Sequence, residues 1–213
     1  MGQAQARLSV EEFLAWENGQ DEKHEFVRGE VFAMVGARRV HGQVCLNLAA
    51  ALKTQFRGSP CAVFMESLKV QIGRDTLLYP DVFVTCDPGD LRTEQVFVAP
   101  SVVVEVLSPS TQAYQEMWLR HFAGFPWEAD GLGRPGGADH RGLKFALNRS
   151  LSSLREYVLI DPQTREALVF RRGADGLFTL HDLSGMPQVE FASIGCVVPA
   201  AELFEGVEPE PGG

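Results

Sequence analysis

Between about His41 and Phe56 the apolar residues Val44, Leu48, Leu52 and, a turn further on, Phe56 recur at helical spacing. This pattern predicts a helix, which Gly58 and Pro60 bring to an end. A shorter helix is signalled over about residues 10–18, where Ser9 followed by Glu12 fits a capping box and Gly19 supplies a stop. Between the two, HEFVRGEVFAMV reads as a tight hairpin turning at Arg28-Gly29. Apolar runs of strand length then follow at about 61–65, 67–72, 79–85 and 101–107, parted by Gly73-Arg74-Asp75 and by the polar stretch 87–95. A third helix is expected over about 140–149, and the runs 154–162, 166–172 and 176–183 read as a closing meander of strands. The pattern as a whole is α+β, a mixed sheet flanked by helices.

Two of the apolar runs break their own pattern. LLYPDVFVTCD (77–87) carries Pro80 and Asp81 in its middle, although proline donates no ladder hydrogen bond and a buried carboxylate is costly to desolvate. SVVVEVLSPS (101–110) is too apolar for a solvent-facing strand, yet it holds Glu105 at its centre. Two carboxylates on neighbouring core strands repel each other unless positive charge lies between them, and a divalent metal is the usual remedy. Magnesium and manganese favour oxygen ligands, and one or two carboxylates with waters and a substrate phosphate oxygen complete their shell. Hydrolysis of a phosphodiester fits such a site, with a nearby lysine to orient the water or stabilise developing charge. Leu107 stands where a Glu-x-Lys tripeptide would place that amine, so Lys144, on the helix beginning DHRGLKFALNR, is the candidate.

Composition narrows the setting. The 213 residues suit one domain spanning 1–213, and hydrophobic residues at 45% argue against disorder. No apolar stretch reaches the length of a membrane span, and MGQAQARLSVEEF has neither the basic start nor the apolar core of a signal peptide, so a cytoplasmic protein is expected. The net charge of −9 argues against broad adhesion to nucleic acid while leaving room for a local basic groove. Cys45, Cys61, Cys86 and Cys196 stand singly in apolar surroundings and are expected as buried reduced thiols. Residues 115–138 hold five glycines and two prolines among four large aromatics and are expected to be an irregular insertion, and 205–213 a disordered tail.

The succession YPD, VVVEVLSPST, D-x-R-G-x-KF and SLREYVLIDP resembles the Uma-type restriction endonuclease family of the PD-(D/E)XK nuclease superfamily. The likeness runs from EEFLAWENG and HEFVRGEVFAM to the meander. It implies a restriction-endonuclease-like core and a magnesium- or manganese-dependent endonuclease acting on DNA. It also implies Asp81, Glu105 and Lys144 as catalytic residues, with Asp81 and Glu105 holding the metal. Glu25, in HEFVRGE, matches a frequently acidic position and is a candidate further ligand. The chain departs from the family pattern where the 115–138 stretch parts STQAY from the lysine segment, and where His140 splits the usual Asp-Arg pair.

Each candidate has a plainer alternative. Asp81 can cap a turn after Pro80. Lys144 can be a solvated helix lysine, Glu25 can salt-bridge Arg28 or Lys23, and His41 can cap or pack at the head of its helix. Arg171-Arg172 on a strand end are expected to be solvated rather than bound to phosphate. Trp118, Phe122, Phe125 and Trp127 can stack on bases or pack against the domain or a second subunit. At the level of function, an inactive nuclease-like binding or assembly module and a phosphoesterase on a small substrate stand beside the endonuclease. A two-fold homodimer suits a nuclease that cuts both strands, though no sequence feature demands one.

Overall fold

The computed structural model describes residues 8–34, 36, 38–108 and 142–208; the 115–138 stretch and residues 209–213 lie outside them. Helix α1 (Val10–Glu17) opens on the expected capping box, with Ser9 Oγ accepting from Glu12 N at 3.2 Å and the Glu12 carboxylate accepting from Ser9 N at 2.7 Å. Strands β1 (His24–Val27) and β2 (Glu30–Ala33) form the expected hairpin. Its turn has both Arg28 (φ 55°) and Gly29 (φ 85°) in the left-handed region, the requirement of a primed hairpin turn. Helix α2 (Arg39–Gln55) buries Val44, Leu48 and Leu52, and Phe56 is buried at its end.

The next four strands are β3 (Ala62–Met65), β4 (Lys69–Ile72), β5 (Thr76–Leu78) and β6 (Val82–Thr85). The strand expected over 79–85 is thus shortened to β6 and preceded by an unexpected strand: β5 belongs to one sheet and β6 to another, with Tyr79-Pro80-Asp81 as the crossing. Proline is tolerated there because the crossing owes no ladder bond at that position. β3 and β4 switch sheets in the opposite sense at Glu66-Ser67, both in the left-handed region (φ 38° and 64°), and Glu66 N donates to Asp81 O at 3.2 Å to tie the two crossings together.

After β7 (Val96–Phe97) and β8 (Val102–Val106) come α3 (Gly142–Asn148), β9 (Glu156–Asp161), β10 (Glu166–Arg172), β11 (Phe178–Asp182), β12 (Gln188–Phe191), β13 (Cys196–Pro199) and α4 (Ala200–Leu203). The larger sheet has the order β11-β10-β9-β8-β6-β3 and is mixed, since β8 and β9 run parallel while the other neighbours are antiparallel. The second sheet has the order β2-β1-β5-β4-β7, and β12 pairs with β13. Alternation along β8 sends Val102, Val104 and Val106 into a core with α2, β13 and α4. Val103 and Leu107 go the other way, into a core with α3 and residues of the second sheet. Glu105 has the parity of Val103 and so points toward α3.

Two expectations are corrected. Cys61 and Cys86 are joined by a disulfide rather than being reduced thiols, because the β3–β6 register that pairs Ala62 with Thr85 sets these cysteines opposite each other, 4.1 Å apart at Cα. Cys45 and Cys196 are buried free thiols, as expected. The pair Arg171-Arg172 is not left to solvent. Arg171 holds Glu156 (2.8 Å) and Glu190 (3.2 Å), while Arg172 donates to the carbonyls of Arg149, Leu151 and Leu154 that follow α3. Among the described residues no helix is long and apolar enough to cross a membrane.

Candidate active site

The β6–β8 register pairs Val82 with Val104, so its next step sets Asp81 opposite Glu105. Asp81 turns its Oδ2 to the backbone of β8, accepting from Val106 N at 2.7 Å. Glu25 arrives from the second sheet: β1 pairs with β5, and the Glu25 carboxylate accepts from Tyr79 N at 3.3 Å, just before Pro80-Asp81. Lys144 reaches into the same space from α3. Its Nζ lies 3.0 Å from Glu105 Oε2 and 3.1 Å from Glu25 Oε1. The four sequence candidates are therefore brought together from β1, the β5–β6 crossing, β8 and α3. Lys144 is buried rather than solvated, and Glu25 pairs with it rather than with Lys23.

The electrostatics of this group are out of balance. Glu25 and Glu105 are buried, Asp81 lies close by, and Lys144 supplies one positive charge against three carboxylates. Burial pushes the Glu105 carboxyl up to about 8; the Asp81 and Glu25 charges add to the rise, and Lys144 opposes it. Burial alone would draw the Lys144 ammonium down, but Glu105, Glu25 and Asp81 together hold it well above its ordinary value. Glu25 Oε2 and Glu105 Oε1 are buried with no hydrogen-bond partner among the described residues. Unpaired buried carboxylate oxygens are expensive, and an all-oxygen donor set with surplus negative charge fits a hard divalent cation.

Three groups beside the site had no clear signal in the sequence. His41, expected to cap or pack, is the third residue of α2 and is buried with Nε2 3.1 Å from Asp81 Oδ2, an ion-pair distance short of a well-aligned hydrogen bond. Burial disfavours its charged form, yet the Asp81 carboxylate, with Glu105 and Glu66 behind it, raises its pKa overall. The Tyr157 hydroxyl is buried without a hydrogen-bond partner among the described residues, and burial with the Glu105 charge raises its pKa well above the ordinary phenol value. Glu66, at the β3–β4 crossing, completes the surround of His41. Parity in β9 could have flagged Tyr157, which pairs with Val103 on the face that carries Glu105. Nothing local marks His41 or Glu66, because their approach to Asp81 depends on how α2 and two sheet crossings meet.

This mixed sheet between helices, with acids and a lysine gathered at a sheet crossing, defines a protein of nuclease-like α+β fold. A solved structure from Anabaena variabilis, described as "a putative nuclease belonging to DUF820", shares that fold with a TM-score of 0.65 at 16% identity, over 94% of this chain and 99% of that chain. The chain belongs to the Uma2 family, described as "Putative restriction endonuclease", which matches residues 10–123. That span includes Glu25, Asp81 and Glu105 and stops short of Lys144. Two uncharacterized proteins of Synechocystis sp. are similar along most of their length. One is 31% identical, over 94% of this chain and 93% of the relative; the other is 27% identical, over 87% and 93%.

Proposed function

We propose that this chain is a divalent-metal-dependent endonuclease that hydrolyses DNA phosphodiester bonds. The observation that carries the reading is the convergence of Glu105 and Glu25 on one buried lysine beside Asp81, with Glu25 Oε2 and Glu105 Oε1 unpartnered among the described residues. Asp81, Glu105 and Glu25 are the residues that would hold Mg²⁺ or Mn²⁺. Bound there, such an ion polarises a phosphoryl oxygen and makes a water a better nucleophile at neutral pH.

The protein's own groups have separate tasks. Val106 N and His41 hold Asp81 through Oδ2, which leaves Oδ1 for a cation. Lys144, kept charged by its carboxylate neighbours, supplies a fixed ammonium that stabilises charge developing on the phosphoryl group or orients the attacking water.

The test is calorimetric titration of manganese into the wild type and Asp81→Ala, followed by incubation of both with supercoiled plasmid and the same ion. Binding and nicking by the wild type, both lost in a folded Asp81→Ala variant, are expected. Nicking that persists in that variant overturns the assignment of the site. A folded wild type that neither binds manganese nor nicks DNA points instead to an inactive nuclease-like module.

A further inference from the structure

Beside the oxygen-rich site, and independent of the nuclease reading, lies a second cluster of different chemistry. We propose that His41, Cys45 and Glu66 form a separate cation site that takes zinc or a similar thiophilic first-row divalent ion. His41 and Cys45 are four residues apart on α2 and so share one face of the helix. Their ligand atoms and a Glu66 carboxylate oxygen all lie within 4.8 Å of one another. Cys45 Sγ is 3.7 Å from His41 Nδ1. Zinc bonds of about 2.3 Å to sulfur and about 2.0–2.1 Å to nitrogen, at a tetrahedral angle, set those two atoms roughly 3.6 Å apart. The sulfur and nitrogen therefore already stand at the spacing of two ligands on one ion.

The second ring nitrogen supplies an independent observation. A histidine that binds metal through one nitrogen ordinarily presents its other N–H to a carboxylate, which fixes the ring and strengthens the ligand. His41 Nε2 is buried with Asp81 Oδ2 at 3.1 Å, an ion-pair distance at which a small turn of the ring makes that hydrogen bond, and it has no hydrogen-bond partner among the described residues. Asp81 thus serves the second site from its outer shell, while the first site uses its other oxygen. The donors also sort the ions. A thiolate and an imidazole favour zinc-like cations, whereas Asp81, Glu105 and Glu25 offer only oxygen.

Access and consequence follow from burial. Cys45 and His41 are enclosed, while Glu66 is exposed at the β3–β4 crossing, so an ion enters past Glu66 and keeps a fourth position for water. Without the ion, burial and the Asp81, Glu66 and Glu105 charges hold Cys45 as a thiol; ligation replaces its proton, which leaves to solvent. The bound ion ties α2 to the crossing whose Glu66 N holds Asp81 O. Asp81 is then fixed at both its carboxylate and its backbone, a positioning role for this site.

Cobalt(II) titrated into the metal-free full chain, with the Cys61–Cys86 disulfide intact, reads the site directly. One equivalent should bring a thiolate-to-cobalt charge-transfer band and the strong visible absorption of a tetrahedral ion. The band should vanish in Cys45→Ala and persist in Glu105→Gln, which removes a ligand of the first site only. Asp81→Asn should weaken binding about 10–100-fold, the usual effect of losing an outer-shell partner. Glu66→Gln, at an exposed position that leaves the fold intact, should weaken cobalt binding at least 10-fold. Absence of the band in the folded wild type overturns the proposal, as does a band that survives Cys45→Ala or a cobalt affinity unchanged in Glu66→Gln.

Discussion

Glu105 carries its charge in the middle of β8, and its environment determines how the protein responds to pH. Its carboxyl titrates near 4.5 when exposed and is pushed up to about 8 in the fold, first by burial and then by Asp81 and Glu25 against the pull of Lys144. Between those values the folded chain binds more protons than the unfolded one, so this group's contribution to stability falls as pH rises from about 4.5 to about 8. Glu105→Gln removes that dependence. In metal-free buffer the variant should lose less melting temperature than the wild type between pH 5 and pH 9, as thermal denaturation followed by circular dichroism will show. Lys144 has the opposite role, since it is the charge that makes three nearby acids tolerable. Lys144→Met should cost about 3–5 kcal/mol, the loss typical of stranding one side of a buried ion pair, read from urea denaturation without metal. Asp81 and Glu105 were legible because a charge inside an apolar run needs an explanation, and Lys144 because Leu107 left its usual place empty. His41, Cys45 and Glu66 were not, because each is unremarkable in its own segment and their grouping exists only where α2 meets the sheet crossing.

At the scale of elements, local signals located the helices better than the strands. The capping box of α1 and the apolar recurrence of α2 are written in contiguous residues, and both helices lie within two residues of where these signals place them. Ser9→Ala should therefore destabilise the fold by about 1 kcal/mol, while manganese affinity stays unchanged because the cap is remote from the site. The apolar run through LLYPDVF shows one strand from residue 79 on, whereas in the fold β5 ends at Leu78, β6 begins at Val82, and the two belong to different sheets. Proline marks that boundary, but only the pairing of each half reveals it. Arg172 shows how an element far along the chain positions the site: it gathers the carbonyls after α3 and so anchors the helix that carries Lys144. Hydrogen bonds to a charged group are worth about 1.5–3 kcal/mol, so Arg172→Met should destabilise by at least that much. It should also lower the nicking rate at saturating manganese, because Lys144 loses its fixed approach.

For the whole molecule, the two proposed cation sites make separable predictions about stability. An ion that binds only the folded chain raises its stability by mass action, by about 2.7 kcal/mol at one hundred times the dissociation constant. In a domain of this size each kcal/mol moves the melting temperature by about 2–4 °C, so saturating manganese should raise it by about 5–10 °C. The sites differ in which ion produces the shift and which variant abolishes it. Manganese, bound by oxygen, should lose its effect in Glu105→Gln and keep it in Cys45→Ala. Zinc, bound through sulfur and nitrogen, should behave the other way round. Asp81→Ala should reduce both shifts, because Asp81 offers Oδ1 to one site and supports His41 of the other through Oδ2. Thermal melts of the wild type and these three variants with each ion check the scheme. If both ions lose their effect in Glu105→Gln, or both in Cys45→Ala, there is one site with mixed ligands, and the separation between an oxygen-bound catalytic ion and a sulfur-bound positioning ion fails.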